Sequence, residues 1–339
     1  MICKKLSFGG NMKKLLMLII SLSLFGFNSY GKIEPSSELK IKNISTNLWA
    51  TYFLDENGTV WGIGDNIWMI FGETENSFIS EPLKIMDEVK KVYPRGFSTV
   101  MLKKDDTLWV VGGNNYNDLG VGDIDSVKTP VQIMKNVEKI FWKECTLMIL
   151  KKDKTLWVVG DNHDYKLGIG SEEKASIPMK ISKNVKSVIF GDYCNMIIQE
   201  DGTLLGMGSN IHGQLGTGDN NPRTFPTFIT SNVENVYCDY SYSLIFKKDG
   251  SLWQTPYFDS KSHDNPVKSL TKVAENILDV NSSYGPLLLL KTDKSLWKEK
   301  GEYDGTGGTS KNFIKVLDNV DRINPYIFKN NVTAQALKK

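Results

Sequence analysis

Three histidines, His163, His212 and His263, are the side chains best suited to proton transfer or metal ligation near neutral pH. They fall in different loops, with none of the spacings a metal site needs, and read as solvated loop residues. Asp123 and Asp125 resemble half of a calcium loop, but its glycine and terminal Glu are missing. No Gly-x-Ser-x-Gly elbow, phosphate loop or zinc-protease helix appears. The sequence therefore assigns no catalytic residue, no metal and no cofactor. Carboxylate pairs gathered from several repeats stay open as an enzymatic alternative.

Aromatic residues are more informative. Trp49, Phe97, Trp142, Tyr193, Tyr240 (with Tyr242) and Tyr284 recur in one loop of each repeated unit, between its first two strands. Equivalent loops emerge at one end of stacked units, so these rings are expected on one surface. Large rings with adaptable polar neighbours are what protein-binding hot spots use, which makes these six the candidate binding residues. The competing reading is that they cap the blades. Loops around Trp68, Tyr116, Tyr165 and His212 are expected at the opposite end.

A 48-residue repeat supplies the elements that place these loops. Ile41–Trp61, Val89–Trp109, Val137–Trp157, Val185–Leu205, Val233–Trp253 and Ile277–Trp297 align without a gap, starting 48 residues apart and finally 44. A seventh start follows at Val320. Such a period signals stacked repeats. Each unit reads as four short strands, exemplified by Val185 to Val188, Leu147 to Leu150, Thr155 to Val159, and Val131 to Met134 after Pro130. Asn57-Gly58, Asp201-Gly202 and Asp249-Gly250 predict type I′ turns between the second and third strands. Asp105-Asp106, Asp153-Lys154 and Asp293-Lys294 stand in the same place and would carry about 1–2 kcal/mol of strain per site. Trp61, Trp109, Trp157, Trp253 and Trp297 recur in frame and are expected as core between units.

Four antiparallel strands cannot bury both faces alone, so the units must stack, and radial stacking makes an all-β propeller. Seven blades are expected, the last incomplete or completed by N-terminal strands, with six as the alternative. Residues 32–339 form this single propeller. Residues 1–31 read as a secretory signal: Lys13-Lys14, the apolar run Leu15 to Phe27, then Ser29-Tyr30-Gly31, with Met12 as a possible start. A periplasmic or extracellular location follows, with no membrane span after cleavage. Cys145, Cys194 and Cys238 would remain, an odd number that cannot close a disulfide framework.

The whole chain has 339 residues with 41 basic and 39 acidic groups. Removing Lys4, Lys5, Lys13 and Lys14 with the signal leaves 37 against 39, so no general attraction for nucleic acid is expected. Hydrophobic residues at 40% and charged residues at 24% describe a foldable chain and exclude intrinsic disorder.

The run Gly208-Ser209-Asn210-Ile211-His212-Gly213-Gln214-Leu215-Gly216-Thr217-Gly218 closes the third strand of the fourth unit. Its frame recurs as Asn66, Asn114 and Asn162, with Gly72, Gly120 and Gly168, and with Pro82, Pro130, Pro178 and Pro226 further on. Units five and six carry Phe258 and Glu302 at the Asn position. This pattern resembles the RCC1 (regulator of chromosome condensation) repeat family, over nearly all of residues 41–339. The resemblance implies a seven-bladed propeller of an exported bacterial type, whose relatives look like protein-binding modules, some of them enzyme inhibitors. The family's Gly-x-x-His block is half present: Gly191 is there, and Cys194 replaces the histidine. Nuclear members act as nucleotide-exchange factors or bind chromatin, but no exchange-factor residue maps onto this chain.

The leading functional reading is an exported, non-enzymatic, monomeric propeller that binds another protein or a surface polymer through loops on one face. A glycan-acting hydrolase or lyase at the channel mouth and a structural envelope repeat protein are the alternatives.

Overall fold

The computed structural model describes residues 40–238, 243–255, 269–281, 287–299 and 313–323. Residues 1–39, which hold the expected signal, lie outside them. Contacts divide the chain after Lys40, and the fold below is that of the unit Ile41–Lys339.

Among the described residues, six four-stranded antiparallel sheets follow one another along the chain. The first three blades are β1–β4 (Ile41–Thr46, Ala50–Asp55, Val60–Asp65, Phe78–Met86), β5–β8 (Val89–Arg95, Ser98–Lys103, Leu108–Gly113, Ser126–Met134) and β9–β12 (Val137–Lys143, Thr146–Lys151, Leu156–Gly160, Ala175–Ser182). The next three are β13–β16 (Val185–Phe190, Cys194–Gln199, Leu204–Gly208, Arg223–Thr230), β17–β20 (Val233–Cys238, Ser243–Lys247, Leu252–Gln254, Thr271–Ala274) and β21–β24 (Ile277–Asn281, Leu288–Lys291, Leu296–Glu299, Phe313–Leu317). Within each sheet the strands pair in chain order, as a meander.

Burial explains why the second strands are apolar throughout rather than alternating. β6 and β10 are buried at all but the last residue because neighbouring blades cover both faces, and β2 is buried at all six positions. The fourth strands are mostly exposed or half-buried. Each core cluster joins two consecutive blades. Leu102, Leu108 and Val110 of the second blade meet Leu147, Ile149 and Val159 of the third. Equivalent clusters join blades one and two, three and four, four and five, and five and six. After the sixth blade, Val320 is buried against Leu288, Leu290 and Leu296, and its N–H bonds the Lys294 carbonyl at 3.0 Å. Val89, Val137, Val185, Val233 and Ile277 make the same bond where each later blade begins. A seventh unit thus starts in place, and the described residues are consistent with six or seven blades.

Three local expectations are corrected. The hairpins between second and third strands are not type I′. In the fourth blade Gly202 N–H bonds Gln199 O and Gln199 N–H bonds Thr203 O, and only the third loop residue is left-handed. This is the three-residue hairpin loop, a turn followed by one αL residue. The same position holds Gly58, Asp106, Lys154, Gly250 and Lys294, so the non-glycine sites carry one strained residue each, not two.

Second, the recurring tryptophans are half-buried, not interior. Trp109, Trp157, Trp253 and Trp297 pack on the edge of the cluster shared with the preceding blade. Each indole N–H donates to a hydroxyl two residues earlier, at 3.0 Å for Trp157 to Thr155 and 2.7 Å for Trp297 to Ser295. The hydroxyl donates in turn to an aspartate, Asp153 or Asp293, and holds that carboxyl below its ordinary range. A lysine ammonium sits over each ring: Lys151 over Trp157 and Lys291 over Trp297. A polar rim site therefore explains a Trp that the apolar pattern alone would place inside.

Third, the connections around Trp68, Tyr116, Tyr165 and His212 are not at the opposite end. In a meander the first and third turns emerge together. The backbone records this: Gly113 N–H bonds Phe97 O at 2.7 Å, and Asp65 N–H bonds Trp49 O at 2.9 Å.

Candidate binding face

This shared end is built from a rigid frame with variable tips. Asn66, Asn114, Asn162 and Asn210 are buried at the start of the connection between third and fourth strands. Each accepts a bond from the backbone N–H five residues on, such as Leu167 N–H to Asn162 at 2.7 Å. Each also donates back across the loop, Asn162 to the carbonyls of Ser171 (2.6 Å) and Glu173 (3.1 Å). The residue five on is Phe71, Leu119, Leu167 or Leu215, and its side chain enters the cluster shared with the next blade. Loop closure and blade packing are thereby tied to one Asn and one apolar anchor.

Between them the chain turns sharply. Met69, Asn117, Tyr165 and Gly213 return an N–H to the frame Asn carbonyl, and all four are left-handed. At the tips Ile67-Trp68 and Asn115-Tyr116 are exposed, as are His163 and Ile211, whereas Asp164 and His212 are half-buried. Trp68 is 41%, Tyr116 57% and Ile211 60% exposed. His163 faces solvent and lies 3.7 Å from Asp164, whereas burial lowers the His212 pKa from its ordinary value. His263 lies outside the described residues, as do Phe258 and Glu302. Among the described residues no three His, Cys, Asp or Glu side chains come together as a metal site.

The candidate rings divide. Trp49, 47% exposed, is set by Asn47, whose side chain accepts from the N–H groups of Trp49 and Ala50 at 2.9 and 2.8 Å. The Asn47 amide also donates to Gly96 O at 3.0 Å, clasping the equivalent loop of the second blade. There Phe97 lies between two tryptophans, 6.0 Å from Trp49 in a stacked arrangement and 4.7 Å from Trp68. Gly113 lies beside them, where a Cβ would be tight against Phe97 Cβ at 3.3 Å and in ordinary contact with Trp68 at 3.7 Å. With Leu48 and Ile67 exposed beside them, the rings form an apolar platform over blades one and two. Tyr193 is exposed in the corresponding loop of the fourth blade. Tyr240, Tyr242 and Tyr284 lie outside the described residues.

Trp142 differs from its expectation. It belongs to β9, not to the loop, and its ring packs into the core between the second and third blades. Its indole N–H is buried without a well-formed hydrogen bond, facing the Asp118 carboxyl. Asp118 occupies the frame position of Gln214 and is 6% exposed. Burial pushes its pKa up to about 6, opposed by its own backbone N–H, by Arg95 and by Trp142. Cys145 nearby rises to about 11, from burial and from the charges of Asp118 and Asp161. Sequence reasoning missed this cluster, although the alignment of Asp118 with Gln214 was available.

Comparison with known proteins agrees with the fold. Residues 201–245 match the family model described as Regulator of chromosome condensation (RCC1) repeat, running from the second hairpin of the fourth blade into β18. No curated protein matches the chain. Human WBSCR16 superposes with a TM-score of 0.52 at 15% identity, over 85% of this chain and 84% of that one. Yeast RCC1 (Prp20), crystallised with Kap60, superposes with a TM-score of 0.50 at 19% identity, over 76% and 69%. The chain is thus an all-β propeller that carries an RCC1 repeat across its fourth and fifth blades and shares the fold of RCC1 proteins.

Proposed function

We propose that this chain is an exported, non-enzymatic propeller that binds another protein through the loop-tip end of its first blades. The Trp49–Phe97–Trp68 platform carries the reading, because three large rings pack together, Asn47 ties the Trp49 loop to the Phe97 loop, and yet two rings face solvent. Ordered aromatic surface of this kind loses little conformational entropy on binding and dominates interface energetics. The yeast relative was crystallised with a protein partner, which supports use of this fold for protein binding. Export rests on Lys13-Lys14, the Leu15 to Phe27 run and Ser29-Tyr30-Gly31.

Capture on the immobilised full chain, beside its Trp49→Ala/Trp68→Ala variant, tests the proposal. A protein retained by the parent and lost by the folded variant is expected. Equal retention by both would move the site away from the platform.

A further inference from the structure

We propose that Cys194 and Cys238 are a thiol pair that closes into a disulfide between the fourth and fifth blades. Cys194 opens β14, and Cys238 ends β17 of the next blade. Both belong to the one apolar cluster that joins these blades. Gly191 abuts both. A Cβ on it would stand 2.7 Å from Cys194 O, 3.4 Å from Cys194 Sγ and 3.5 Å from Cys238 Cβ, so both cysteine side chains border the same small space. Gly191 N–H also bonds Cys194 O at 2.8 Å, which fixes the turn presenting the first thiol. Ser243 Oγ donates to Cys238 Sγ at 3.5 Å and orients the second. The half-kept Gly-x-x-His block thus has its substitution beside a second cysteine.

The order of reaction follows from access. Cys194 is 3% exposed and burial holds its thiol well above the ordinary range, whereas Cys238 is only partly covered. Deprotonated Cys238 attacks a sulfur of an external small-molecule disulfide, such as oxidised glutathione. One S–S bond forms, one breaks, and one glutathione thiolate leaves. Cys194 then gives up its proton and attacks Cys238 Sγ, expelling the second thiolate. Two protein thiols lose two electrons, and the small disulfide gains them.

The test uses the reduced full chain incubated with oxidised glutathione, then alkylated and mapped as peptides without reduction. A linked Cys194–Cys238 peptide lacking two hydrogens is expected, with Cys145 alkylated. The urea midpoint should rise on oxidation and return with dithiothreitol. In Cys194→Ser, glutathione should remain on Cys238. Alkylation of both thiols in the parent, a lasting mixed disulfide at Cys238, or a bridge through Cys145 or Cys3 would overturn the proposal.

Discussion

Asp118→Asn should stabilise the protein at neutral pH, and the structure sets how much. The carboxyl is almost wholly covered between the second and third blades, and its pKa rises from 3.8 to about 6, with burial the largest cause. The folded state therefore holds a proton that the unfolded chain has already released. Between these two values νN exceeds νU, so stability falls as pH rises, and the penalty is complete above about pH 6. A shift near two units corresponds to about 3 kcal/mol at most. Asn removes the charge yet keeps an oxygen facing the Trp142 indole, so a gain of about 2–3 kcal/mol is expected at pH 7.5 and almost none at pH 3.5. Urea denaturation of parent and variant across this range measures the difference. A loss of stability at pH 7.5 would show that Arg95 holds Asp118 ionised, and a difference independent of pH would show an unshifted carboxyl; either result refutes the reasoning.

Three further outcomes are expected. Asn162→Ala removes an acceptor for buried Leu167 N–H and a donor to two carbonyls, and should cost about 2–4 kcal/mol in urea unfolding. Trp157→Ala should cost about 2–3 kcal/mol, less than the 3–5 of a fully buried ring, because it loses half a ring's burial and one rim hydrogen bond. N-terminal sequencing of the protein recovered from the cell exterior or periplasm should begin at Lys32.

The four-strand unit was legible because burial imposes its own pattern: Leu147 to Leu150 reads as an apolar run since two blades cover it. Asn66, Asn114, Asn162 and Asn210 were legible as a recurring frame, and the residue type matches the bonds the loop needs. The rim was not. A Trp signals apolar surface, and nothing in Asp153-Lys154-Thr155-Leu156-Trp157 announces that a hydroxyl takes its N–H. Nor was the left-handed Asn136, Asn184, Asn232 and Asn276 before the third to sixth blades singled out, although its place in the frame is regular. The candidate site suffered from an error of topology. Strand parity puts Trp68 beside Phe97, so the two loop sets weighed as rivals are one surface. Trp142 misled because it stands three residues before the frame position of Phe97 and Tyr193, which Cys145 fills, and so falls within β9.

Hydrogen exchange on the captured complex tests the binding face most directly. Binding should protect the amides of residues 47–49, 66–69 and 96–97, leaving the hairpins at 199–203 and 247–251 unchanged. Protection confined to those hairpins, at the other end of the blades, would contradict it.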